Sequence, residues 1–535
     1  MFIRKKKNPG GATCVMLLVG ERKPGKKHSN LRLIKTFGSA KDEAVLAQLM
    51  QEAEAYKAHL QAISPKASTL RITSPQDIQA CRFINVGFND VYGNCFDQVF
   101  SELSLKGRDL QKLRDLLVMR IANPASKRKT AMISDLYGIN SQVDSIYKLM
   151  DELTDLRIDE AKQHIFTHTR KLPKSESIDV MFYDLTTIYF ETNCQDALRD
   201  FGFSKDGKCQ HVQILLAAMV TKDGLPVDYE MFPGNVYEGH TLVPVINKIK
   251  TRYKVSKVVL VADSALMNKV NLCALTKENI EYIIAARIKN TTQKIQRQIL
   301  DQSGYTTVFC NEEDIIKSKT ISTENDTLVA LHSSKRARKD AYDREEDLQR
   351  IEKYLKSTAK SQLTSRLKKP YVTVSKACKI EIDLEKLEQE KQFDGFFGLQ
   401  TNQKEINPKE LLTTYRGLWQ IEQTFRISKS NLEIRPVFHY TTRRIKAHVL
   451  ICYMALSLIR YVGFKLKQSQ LEYPIDQLHM LLDRMRMAEL RHKDNQLYTL
   501  LEDPPPEMAT IYGALGLRAH EKFSVKGHFV VPQKS

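Results

Sequence analysis

Apolar and polar positions alternate with different periods along the chain, and the changes of period divide it. Residues 1 to 40 set short β-rich pieces, Ala12 to Val19 and Leu31 to Phe37, between basic turns such as Lys23-Pro24-Gly25-Lys26-Lys27, which predicts a small basic β-sheet. From 41 to 171 apolar residues recur at three and four, predicting helices over Glu43 to Leu60, Gly107 to Ile121 and Lys127 to Leu153, the last interrupted at Tyr137-Gly138. Around Val180 the period switches. VMFYDLTTIYFE reads as one continuous apolar strand, followed by strands over His211 to Thr221 and Leu225 to Phe232. A helix (Thr241 to Tyr253), a short buried strand (Lys257 to Ala262), a helix (Asn268 to Glu278) and a strand (Tyr282 to Arg287) complete a predicted βββαβαβ order.

From 290 to 402 polar β-like pieces (Thr306 to Phe309, Tyr371 to Val374, Lys379 to Ile382) surround a charged helix, Ser334 to Leu355, whose run Lys335-Arg336-Ala337-Arg338-Lys339 could touch phosphate or simply be solvated. An apolar strand then leads to a helix over Leu411 to Leu432. Ala447 to Val462, broken by His448 and Arg460, reads as a buried helix, and the helical C-terminal part closes in Pro504-Pro505-Pro506. The expected division is 1–40, 41–171, 172–289, 290–402, 403–464 and 465–535.

Composition narrows the function. Lys and Arg total 82 against 63 Asp and Glu, a formal charge of +19, which favours a polyanionic partner over a membrane. The opening MFIRKKKNPGG lacks the apolar region of a signal peptide, and no run of about 18 apolar residues suggests a membrane span. Nine scattered cysteines form no CxxC pair, arguing against zinc and disulfide frameworks and for the cytosol.

Three acids stand out from apolar elements: Asp184 inside the first core strand, Asp263 at the carboxyl end of the fourth, and Glu422 on the Leu411 to Leu432 helix. On that helix Leu411, Tyr415, Leu418, Phe425 and Leu432 form one stripe, and Glu422 and Lys429 fall on it, so Glu422 is expected to be buried and partnered. A salt bridge to Arg426 is the simpler reading and a metal the sharper one. Each acid alone could be a satisfied core carboxylate. His211 and His240 read as structural, His439 and His448 as helix packing, and Trp419 as core packing. Ser126-Lys127-Arg128-Lys129 opening a helix before a Gly turn resembles helix-turn-helix DNA-binding architecture, a pattern common to many helical bundles.

Taken together, YDLTTIYFE around Asp184, residues 202 to 235, VVLVADSALMNK around Asp263 and residues 415 to 456 resemble the DDE insertion-sequence transposases. The resemblance implies an α/β fold: a ribonuclease H-like mixed-sheet core with a β-rich insertion, plus a small N-terminal β-sheet, an N-terminal helical domain and C-terminal helices. It implies Asp184, Asp263 and Glu422 as ligands of catalytic Mg²⁺, with Mn²⁺ a possible substitute. Double-stranded DNA, as terminal inverted repeats and target, would be the partner, and a homodimer the active form in the cytoplasm. One subgroup carries a Tyr, Arg, Glu, Lys signature on the last helix. Tyr415, Glu422 and Lys429 match it, whereas Leu418 stands at the Arg position, so the signature's hairpin pathway is not implied. Tyr415, Arg416, Arg426 and Lys429 are the candidate DNA contacts there, joined by Lys127, Arg128 and Lys129. A ribonuclease H-like nuclease without strand transfer and a non-catalytic DNA-binding descendant are the alternatives.

Overall fold

A computed structural model describes residues 2–8, 11–21, 30–63, 77–173, 180–202, 207, 210–253, 259–263, 269–324, 326–356, 369–374, 380–493 and 496–526. The basic turn at 23–27 and parts of the motifs around 203–209 and 264–268 lie outside them. The chain divides into two compact units, 1–82 with 489–500 and 523–535, and 83–488 with 501–522.

The predicted N-terminal sheet is present. β1 (Phe2–Lys7), β2 (Thr13–Glu21) and β3 (Asn30–Ala40) pair antiparallel, and α1 (Glu43–Ile63) packs on β2 and β3. A strand, β4 (Ile78–Asn85), then interrupts the stretch that the helical period had claimed. The helical bundle follows: α2 (Asn94–Phe100), α3 (Gly107–Ala122), α4 (Lys127–Ile133), α5 (Val143–Glu152) and α6 (Asp155–Lys171). Gly138, at φ 68°, ends the turn between α4 and α5, a conformation that glycine reaches without Cβ strain.

The core order is βββαβαβ, as the pattern predicts: β5 (Val180–Tyr189), β6 (Gln213–Thr221), β7 (Pro226–Pro233), α7 (Leu242–Tyr253), β8 (Val259–Ala262), α8 (Lys269–Lys277) and β9 (Glu281–Ala286). β5, β6 and β7 form an antiparallel meander, while β8 lies parallel to both β5 and β9. The insertion brings α9 (Gln293–Leu300), β10 (Thr306–Cys310), β11 (Ile315–Ser322), β12 (Thr327–Ser333), α10 (Ser334–Lys356), β13 (Val372–Val374), β14 (Ile380–Ile382) and α11 (Leu384–Gln392). It is not a separate lobe of strands. With β15 (Phe396–Thr401), strands β10 to β12 extend the core sheet, giving the order β10-β11-β12-β15-β9-β8-β5-β6-β7 among the described residues.

Alternation along these strands sorts their side chains onto two faces. Met181, Tyr183 and Leu185 meet Leu242, Val245 and Ile249 of α7 on one face. Phe182, Ala218, Val220, Val261 and Ile283 meet the last core helices on the other. Those helices are α12 (Pro408–Arg416) and α13 (Trp419–Arg426). The single helix predicted over Leu411 to Leu432 is in fact broken at Gly417-Leu418 and ends in a π-helical turn over Ile427–Asn431. Gly417 lies against the Phe182 ring, where a Cβ would come within 2.5 Å, so the break seats α13 directly on β5.

The buried helix of the C-terminal part is α14 (Thr442–Gln468). Its length and composition would suffice to cross a membrane, yet Val449 through Leu456 are buried inside the bundle, in one core with α3, α5 and α6. After α15 (Ile475–Asp483) the chain departs from expectation. β16 (Arg486–His492), β17 (Leu497–Leu501), α16 (Glu507–Leu515) and β18 (Phe523–Lys526) replace an all-helical tail, and the sheet order β18-β17-β16-β4 shows why: these short strands need a partner some 400 residues away, which no local pattern reveals.

Candidate active site

The site begins with strand register. Phe182 pairs with Val261 and Tyr183 with Ala262, so the next residues, Asp184 and Asp263, stand level on neighbouring parallel strands. Asp184 shares the parity of Phe182, and Asp263 that of Val259 and Val261, so the alternation carries both to the face covered by α12 and α13. Asp184 is half-buried and its Oδ1 accepts a hydrogen bond from the Leu185 amide at 2.7 Å, whereas Asp263, just past the strand end, is exposed.

α13 supplies the third acid. Ile421 and Phe425 are buried against the sheet, and Glu422, one residue round the helix, is exposed. The expected burial of Glu422 is therefore wrong, because the break at Gly417 re-phases the stripe: Ile421 rather than Glu422 takes the inner position. Arg426 is exposed too, and the two form no salt bridge among the described residues. The side chain that registers the carboxylates is Tyr415. Burial first, then the negative charges of Asp263 and Glu422, push its phenol up to about 12, while Arg336 acts the other way. Residues from the end of β8, from α13 and from the first turn of α10 therefore lie within electrostatic reach of one ring on α12.

α13 is held from behind. Arg460 of α14 donates to Gln423 Oε1 at 2.7 Å, Gln420 O at 2.9 Å and Thr424 Oγ1 at 2.8 Å. Burial, and then neighbouring Arg426, lower this guanidinium to about 10. Arg460 is not among the sequence candidates, whereas Arg336 belongs to the basic run that the sequence offers as a phosphate contact. In the sequence Arg460 reads only as a break in an apolar helix, though a lone Arg at a core position asks for several acceptors.

The remaining candidates scatter. Arg416 is exposed and lies over the Phe309 ring at 4.9 Å, and Lys429 is half-buried in the π-helical turn. Arg128 and Lys129 are exposed, but Lys127 turns inward, 3% exposed. Burial and then the adjacent Arg120 charge hold its amine well below the usual lysine range. Lys127 thus presents no charge on an outer helix face. Trp419 is 52% exposed, so it does not pack in the core. His448 is buried, its Nε2 3.0 Å from Ile434 O.

Among the described residues no three His, Cys, Asp or Glu side chains stand close enough to share one ion. The donor set nevertheless suits a hard divalent cation: oxygen ligands only, two of them level on adjacent strands and a third on the helix above the same face.

Carboxylates on one face of such a mixed sheet suit the class of enzymes that use divalent ions on phosphodiesters. The chain belongs to the DDE transposases: the Transposase DDE domain family matches residues 175–458. It is a DNA transposase, and its fold is the mixed α/β one that the resemblance implied, although the described part of the insertion, expected to be β-rich, holds more helix than strand. DDE transposases use divalent metal ions. Compared with curated proteins, the chain matches none. Among solved structures, the piggyBac transposase synaptic complex with hairpin DNA is similar over 74% of this chain and 76% of that one, at 9% identity and a TM-score of 0.38. The Mos1 transposase paired-end complex with left transposon end is similar over 32% and 57%, at 13% identity and a TM-score of 0.15. The Mos1 mariner paired end complex with Mn gives 36% and 71%, at 10% identity and a TM-score of 0.14.

Proposed function

We propose that this transposase mobilises an insertion sequence of bacterial type, binding the terminal inverted repeats of its own element and joining the 3′-hydroxyl ends to target DNA. Asp184, Asp263 and Glu422 would hold the catalytic ions, Mg²⁺ in the cell with Mn²⁺ able to replace it. When bound, a pair of such ions supplies activation of a water or 3′-hydroxyl and charge stabilisation at the leaving oxygen. The protein's own part is to bring three carboxylates to one face, to hold α13 in place through Arg460 and Gly417, and to offer Lys429, Arg416 and Arg426 to DNA phosphates. The working form proposed is a homodimer on DNA, in the cytosol.

The level placement of Asp184 and Asp263 on the face that α13 covers carries this reading. Its test is an oligonucleotide cleavage and joining assay on Asp184→Asn, Asp263→Asn and Glu422→Gln. Each should lose metal-dependent cleavage while still binding end DNA. An active Glu422→Gln protein would sink the assignment of the third ligand.

A further inference from the structure

A second concentration of basic side chains lies away from the carboxylates, in a cavity of about 100 Å³ between the α3–α4 turn and the loop that follows the π-helical turn. Arg120, Lys127, Arg435, His439 and His448 line it, with the exposed carboxylate Glu433 also on its wall. Arg120 is 4% exposed and is fixed by donating to Ala125 O at 2.8 Å. Lys127 is 3% exposed, and its Nζ is buried with no hydrogen-bond partner among the described residues. His448 Nδ1 is buried without a partner in the same way.

A lysine amine buried beside a guanidinium, with no acceptor of its own, is an arrangement that folding opposes. It makes physical sense where an anion enters the site, and the cavity opening onto these groups gives the anion a place. The loop that carries Arg435 is tied to the catalytic strand: the Val437 amide donates to Tyr189 O at 3.3 Å, and Phe190 and Val437 form a parallel bridge. Tyr189 lies five residues beyond Asp184 on β5, roughly 16 Å along an extended strand. That separation corresponds to about five nucleotides of duplex rise. Phe438, 59% exposed, lines the same cavity and offers an aromatic face to a base, which favours a nucleic-acid phosphate over a free one.

We propose that this cavity is a DNA phosphate site, in which Lys127, Arg120 and Arg435 hold one backbone phosphate of the strand that leads to the carboxylates. The choice of DNA as the source of the phosphate rests on the function proposed above.

The test uses the full chain in metal-free buffer, so that binding is read without cleavage. Thermal unfolding is followed in inorganic phosphate and in chloride at equal ionic strength, and the affinity for an end duplex is measured across a salt series. Wild type should be stabilised by phosphate. Lys127→Met should lose that response and reduce the salt slope of DNA binding by about one. Arg435→Gln, at a half-buried position, should weaken both responses and serves if Lys127→Met fails to fold. A wild type indifferent to phosphate, or variants with unchanged phosphate response and salt slope, would overturn the site. Lost phosphate response with an unchanged DNA slope would overturn DNA as the source. Failure of the transposition chemistry itself would look different: end DNA bound normally, the phosphate response intact, and no cleavage when Mg²⁺ is added.

Discussion

Asp184 and Asp263 stand side by side because the residues before them, Tyr183 and Ala262, are registered partners of parallel strands. Strands so paired lie about 4.8 Å apart, so two like charges face one side at close range. Asp263 is exposed, and water screens most of that repulsion. Asp263→Asn should therefore leave the metal-free protein as stable as wild type or slightly more so, within about 0.5 kcal/mol. Added Mn²⁺ or Mg²⁺ should raise the melting temperature of wild type more than that of the variant. A metal-free variant that melts well below wild type would show the carboxylate to be structural.

Arg460 supplies three hydrogen bonds to the inner side of α13. Arg460→Met should lower stability by about 1–3 kcal/mol, because Gln423 and Thr424 lose a charged donor. Cleavage should fall further than the folded fraction does, since Glu422 rides on the same two turns. Equal losses in calorimetry and in turnover would mean that Arg460 only stabilises the bundle.

Lys429 lies in the π-helical turn, one turn past Arg426. Lys429→Ala should slow cleavage on the order of tenfold, the scale of a charged hydrogen bond, with little change in melting temperature. A large loss of stability with normal activity in the folded remainder would assign the residue to an ion pair instead.

Arg128 and Lys129 are the exposed members of the basic run that opens α4. Replacing both by Gln should reduce the salt slope of end-DNA binding by about two and leave thermal stability unchanged. An unchanged slope would remove α4 from the DNA interface.

Burial lowers His168, His439 and His479 to about 4, with like-charged neighbours adding to the shift at His168 and His439. Burial takes His448 well below its ordinary value in the same direction. A folded pKa below the unfolded value of 6.5 means that the unfolded chain binds more protons as pH falls. Stability contributed by these neutral rings is full above pH 6.5 and is lost as pH drops toward 4, on the order of 1 kcal/mol per pH unit for each group. Denaturant midpoints at pH 7 and pH 5 would show it, and an equal or higher midpoint at pH 5 would refute it.

The strands of the core were legible because period and composition agree there: an acid inside VMFYDLTTIYFE is conspicuous, and its parity is settled once the strand is. Glu422 stands out in the sequence for a reason that the structure does not bear out, since it is exposed rather than buried. A heptad count across Leu411 to Leu432 assumes an unbroken helix, and Gly417, chosen by the Phe182 ring on another element, cancels that assumption. Lys127 looked like surface charge because a single sequence cannot show that α3 and α14 close over it. The C-terminal strands were invisible for a related reason, since β16 to β18 carry little apolar alternation and acquire their meaning from β4.

That last pairing sets a schedule. Arg82 and Glu489, joined by a 2.6 Å ion pair, are 407 residues apart, and β4 waits for β16 while everything between them is made. At 5–20 residues per second on the ribosome, the wait is roughly 20 to 80 s. During that interval the core sheet and the carboxylate face can form, but the sheet built from both ends of the chain cannot. The three carboxylates are therefore synthesised before that sheet can close in every newly made molecule.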